Sequence, residues 1–183
     1  MVNSMTQYRK VFYKYILFSV FAAVLLFTAA AAYGADTQIR YSEQYQDLTL
    51  NWEPTRDIFI NNATVFLGNV SGCILFGIPN FISIVQNGYL FGALWAVIAQ
   101  EYNAAWAAAH FLPHAILEIP VILLAFSYGV LPWYVIREGQ AGKRKDKRFW
   151  QLPLRYVGLS AVACMIVLLA AAAIESGISM RIK

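Results

Sequence analysis

Five apolar stretches, at residues 11–32, 58–78, 81–98, 111–136 and 152–174, constrain this chain more than any other feature. At about 1.5 Å of rise per residue, each covers or nearly covers a hydrocarbon layer roughly 30 Å thick. Backbone donors and acceptors in that layer must be bonded within the chain, which leaves the helix as the element that fits such runs. Composition points the same way. Hydrophobic residues make up 60% of the chain, charged residues 13%, and mean hydropathy is +0.53, more than a soluble domain of 183 residues carries. The expected fold is an all-α integral membrane helical bundle of about five transmembrane helices.

Basic residues set the orientation. Arg9, Lys10 and Lys14 precede the first apolar run, and Arg137, Lys143, Arg144, Lys145, Lys147 and Arg148 crowd the connection at 137–148. Short cytoplasmic loops collect Lys and Arg, so both segments read as cytoplasmic. The segment at 35–57 has five acidic residues against Arg40 and Arg56 and suits the opposite side. Five spans then give an N-in, C-out topology. The first run resembles a secretory signal in its basic flank, but it exceeds the roughly 7 to 15 apolar residues of a signal core and reads as a retained anchor.

The chain therefore divides into an anchor at 1–34, an extracytoplasmic segment at 35–57 and a four-helix membrane unit at 58–183. In the middle segment Ile39, Tyr45, Leu48, Leu50 and Trp52 lie among charges, the pattern of a short amphipathic helix on the outer interface. So short a segment cannot house a soluble catalytic domain. The basic loop accounts for itself as an orientation signal with attraction to anionic lipid, or as a dock for a cytoplasmic partner. No aromatic platform accompanies it, which argues against nucleic acid.

Glu118 is the most informative single residue. An acidic group at the centre of a membrane helix costs roughly 2.5 to 3.5 kcal/mol, so it marks a site with a partner to be found. His114 lies four residues earlier, on the same helix face. Asn61, Asn62, Asn69 and Asn87 supply amides in the second and third runs, with Gln86 beside them. Two readings remain open: the amides bond helix to helix, or they line one polar pocket with His114 and Glu118.

Metal binding is disfavoured. His110, His114 and Glu118 follow a four-residue spacing, but Pro113 is expected to kink or restart the helix between them. Cys73 and Cys164 lie within runs, at no ligand spacing, and serve as small apolar residues. No cofactor is expected. An intramembrane hydrolase would need Glu118 to activate water with help from His114, and no second acid lies deep in a span to complete a dyad.

Glycines mark close packing. Gly68 with Gly72, and Gly88 with Gly92, form two small-xxx-small pairs, so the second and third spans read as an antiparallel hairpin through Pro79 and Asn80 whose glycine faces meet each other or a neighbour. Tyr156, Ser160 and Cys164 give the fifth span a small and polar stripe toward protein, and the first span reads as a peripheral anchor.

The Asn-rich start at 59–62, Gly72, Gly77, the Asn87-Gly88 pair with Gly92, the set Pro113, His114, Glu118 and Pro120, and Gly129 together resemble the stage II sporulation protein M family over residues 58–174. Ala115 stands where that family would carry glycine. The resemblance implies a polytopic bacterial inner-membrane protein, a component of a larger complex such as one remodelling the cell wall, in which partner proteins carry out hydrolysis. The function expected here is a non-catalytic scaffold or assembly subunit, with lipid and other membrane subunits, a second copy among them, as partners. A transporter or permease-like subunit built around Glu118 is the alternative, and an intramembrane hydrolase comes last.

Overall fold

The computed structural model describes residues 2–41, 55–139 and 146–179. The elements among them are all helical: α1 (Val2–Tyr41), α2 (Thr55–Val70), α3 (Ile78–Glu101), α4 (Ala104–Phe126), α5 (Leu131–Glu138) and α6 (Lys147–Ser179), with 3-10 turns at Ser71–Cys73 and Ser127–Val130. Lys143, Arg144 and Lys145 lie outside the described residues, as does most of the expected interfacial helix.

Among the described residues, four helical stretches are long and apolar enough to cross a membrane: Thr6–Thr37, Ile78–Glu101, Phe111–Glu138 and Phe149–Gly177. The expected run at 58–78 does not form one helix of that length. It divides into α2, whose 16 residues cover about 24 Å, a 3-10 turn, and a reversal into α3. Its composition explains the difference. Three asparagines dilute its apolarity, and Gly77 stops the reversal at a φ of 82°, a left-handed conformation that glycine adopts without strain.

α1 is no peripheral anchor. It lies parallel along α3, since Gly88 meets Phe27 and Ala30 while Gly92 meets Ala31, the numbers rising together on both helices. A Cβ at Gly88 would come within 2.7 Å of the Phe27 carbonyl oxygen, so only glycine permits this approach. The Gly88 and Gly92 face is therefore spent on α1 and not on α2. The helix itself runs on through Gly34, which packs against the Tyr89 backbone, to Tyr41.

At the opposite end of α1, Phe12 meets Tyr134 of α5 edge-on, ring centres 5.2 Å apart, and Tyr134 stacks on Phe149 of α6 at 5.3 Å. All three are buried, which ties the first part of α1 to α5 and the start of α6. The stripe on α6 faces protein: Tyr128 and Ser160 share a hydroxyl hydrogen bond of 2.8 Å, Ser127 and Tyr156 one of 2.5 Å, and Cys164 is buried. Outward faces carry large apolar side chains, such as Leu17, Phe18 and Phe21 on α1 and Leu159, Val162 and Ile166 on α6, suited to lipid.

Asn80 joins three elements near the reversal. Its Nδ2 donates to the Asn69 carbonyl in the last turn of α2 and to the Ala125 carbonyl near the end of α4, each at 2.8 Å. Helix ends leave carbonyls without intrahelical donors, and one amide serves two of them here. Gly72 and Gly129 make the room, since a Cβ at Gly72 would collide with the Asn80 carboxamide and one at Gly129 would stand 2.6 Å from Gly77 Cα.

Candidate functional site

α4 runs unbroken from Ala104 to Phe126 through both Pro113 and Pro120. The expected restart at Pro113 does not occur, because loss of one backbone donor is tolerated in a helix held by its neighbours. Glu118 consequently sits seven residues, or about 10 Å, inside the stretch that begins at Phe111. His114 is half-buried one turn before it, its ring 5.5 Å from that of Phe111. The side chain of His110 lies outside the described set. No group of three or more metal-ligating side chains occurs among the described residues.

Asn62 of α2 donates its Nδ2 to the Glu118 carboxylate. Glu175 of α6 lies within coulombic reach of the same carboxylate. One residue on, the Ser176 hydroxyl is hydrogen-bonded to Thr55 at the start of α2. Three helices that are far apart in sequence thus meet through polar side chains at one end of the bundle. Glu175 stands one residue beyond the expected run at 152–174 and two residues from the end of the 149–177 stretch, so the second acid approaches Glu118 from the edge of a helix.

The other amides form a second group. Asn69 is buried and donates to the Ser83 hydroxyl at 2.8 Å and to the Val65 carbonyl at 2.9 Å. Asn87 donates to the Ser83 carbonyl at 2.8 Å and its hydroxyl at 3.3 Å. Ser83 is the hinge of this group, and nothing in an apolar run advertises a single serine. Asn61 is exposed on the same side of α2.

Two spaces adjoin these residues. A small cavity of about 60 Å³ has Glu118, Asn62, Asn69 and Asn87 in its wall, with Val121 and Leu168 beside them. An open cleft of about 780 Å³ lies between α2 and α3, with Gly68, Ser83, Gln86 and Leu90 among its walls. Asn61, Val65, Asn69 and Asn87 line both spaces, so amides stand between the cleft and Glu118. Gly68 has nothing among the described residues within 4 Å of where a Cβ would stand, whereas Gly72 belongs to the 3-10 turn under Asn80. Among the described residues Gly68 and Gly72 do not share one packing face, because the turn takes the second glycine off the helix.

In the basic segment Arg137 closes α5 and Lys147 opens α6, both exposed; Arg148 follows, its side chain outside the described set.

Long apolar helices enclosing a carboxylate and a row of carboxamides define a multi-pass membrane protein. The family model described as Stage II sporulation protein M matches residues 5–180, nearly the whole chain, and the chain belongs to that family. No curated protein and no solved structure gives a significant match.

Proposed function

We propose that this protein is a non-catalytic polytopic subunit that holds a transmembrane helix of a partner protein in the α2–α3 cleft, as the scaffold of a multi-protein complex in the bacterial cytoplasmic membrane. The cleft carries the reading. Asn61 and Gln86 expose carboxamides along it, and Gly68 leaves the α2 backbone open between them and the reversal. Amides facing hydrocarbon lack partners, and an open glycine permits close backbone approach, so a helix seated there would satisfy both. Basic residues at both ends of the cytoplasmic connection support N-in, C-out orientation, as Arg9, Lys10 and Lys14 do.

The test is site-specific photo-crosslinking in native membranes. A photoreactive residue at Gly68 or Gln86 is expected to yield discrete protein adducts, and one at Ile166 on the outward face of α6 only lipid. Equal adduct patterns at the three positions would remove the cleft from the reading.

One observation favours a permease-like alternative: the cavity at Glu118 adjoins the open cleft. On that reading Glu118→Gln leaves the fold intact and abolishes flux in proteoliposomes. Unchanged flux would set it aside.

A further inference from the structure

The partner helix can be specified further by the chemistry at the inner end of the cleft. We infer that it carries a lysine or arginine within its membrane span, whose side chain passes between the amides and pairs with Glu118. This rests on the docking reading of the cleft and adds the charge.

Three observations converge on it. Glu118 lies about 10 Å inside its stretch, where an acidic group seeks an opposite charge. Its carboxylate accepts from a neutral amide, that of Asn62, and the neighbouring charge from α6 is the like charge of Glu175. The cavity beside it is separated from the cleft by the side chains of Asn61, Asn69 and Asn87, which line both and whose amide oxygens can accept from an ammonium or guanidinium group placed between them. A long cationic side chain suits that position, because its apolar stem can lie along Val65 while its head reaches inward.

A second copy of this chain does not supply the charge. Between Lys14 and Arg40, between Arg56 and Arg137, and beyond Arg155 as far as Arg181 there is no Lys or Arg. Arg155 falls within the Phe149–Gly177 stretch, but it stands 20 residues, or about 30 Å, along α6 from the Glu175 that neighbours Glu118, at the other end of the bundle. The match is therefore to a different protein, acidic here and basic there.

The experiment uses the full-length protein, labelled for energy transfer, in vesicles of phosphatidylethanolamine and phosphatidylglycerol. Its probes are synthetic single-span leucine–alanine peptides of about 20 residues, one bearing a lysine about 7 residues from its outer end to match the depth of Glu118, the other leucine there. The lysine peptide is expected to associate at least tenfold more tightly than the leucine peptide, and Glu118→Gln to erase that preference. Equal association of the two peptides with the unaltered protein would overturn the charge pairing without depending on how any variant folds. So would a preference that survives Glu118→Gln. Gly68→Leu, at a position with free space around it, is expected to weaken both peptides; if both bind it as before, the cleft is not the dock and the reading beneath fails separately. Transfer between two labelled copies of the protein that Gly68→Leu abolishes would name a second copy as the occupant and overturn the proposal.

Discussion

The side chain of Asn80 reaches the backbone carbonyl of Ala125, 45 residues away, at 2.8 Å, and with its other hydrogen holds Asn69 across the reversal. The amide is fully enclosed and fastens α2, α3 and α4 at the level where two of them end. Its position beside Gly72, Gly77 and Gly129 shows why small residues cluster there.

Asn80→Leu removes both donors, taking from the Asn69 carbonyl its side-chain donor and leaving the Ala125 carbonyl only the shared N–H of Ser127, at about 1 to 3 kcal/mol each. A total loss of about 2 to 5 kcal/mol is expected in equilibrium unfolding in detergent. Asn80→Asp should be no milder, because it replaces the donating amide with an acceptor. Retained stability in either variant would remove the staple.

Gly92→Leu forces a side chain into the Ala31 backbone, while Gly68→Leu points into open space. Overpacking costs about 1 to 3 kcal/mol, so the first variant should lower the melting temperature and the second leave it within about a degree or two. Melting curves of the purified proteins decide it. Equal effects would mean that α1 does not approach α3 through glycine.

Asn62→Leu strips the Glu118 carboxylate of a donor that an apolar side chain cannot replace. We expect a loss of about 1 to 3 kcal/mol. Combined with Glu118→Leu, which removes the group left unsatisfied, the loss should be less than the sum of the two single changes. A double-mutant cycle in detergent unfolding measures the coupling, and simple additivity would deny the bond.

Tyr134 is buried between Phe12 and Phe149, and its hydroxyl has no hydrogen-bond partner among the described residues. Removing an unsatisfied buried hydroxyl while keeping the ring is neutral or favourable. Tyr134→Phe should hold or raise stability, by up to about 1 to 2 kcal/mol. Tyr128→Phe, which loses a bond to Ser160, should instead cost about 0.6 to 1.7 kcal/mol. Thermal unfolding of the two variants side by side tests the contrast.

The candidate site was legible where a polar residue interrupts an apolar run. Glu118, Asn62, Asn69 and Asn87 stand out on that ground alone, because hydrocarbon penalises each of them wherever it lies. The pairings did not follow from the run. Asn62 meets Glu118, but Asn69 and Asn87 meet at Ser83, whose hydroxyl is too small a signal to be noticed in a sequence. Asn80 read as a turn residue because Pro79 precedes it, and its burial depends on two glycines that close in from other elements.

Sequence alone determined that this chain is an all-helical membrane protein, that it belongs with the sporulation protein M family, and that a carboxylate and several amides must be sheltered in it. These follow from transfer free energies, which act on each residue whatever its neighbours. Tertiary structure alone decided that the second run is a shorter helix ending in a reversal, that Gly88 and Gly92 seat α1, and that Glu175 approaches Glu118. A glycine pair signals close approach without naming the partner, and two charges 57 residues apart meet only when packing brings their helices together.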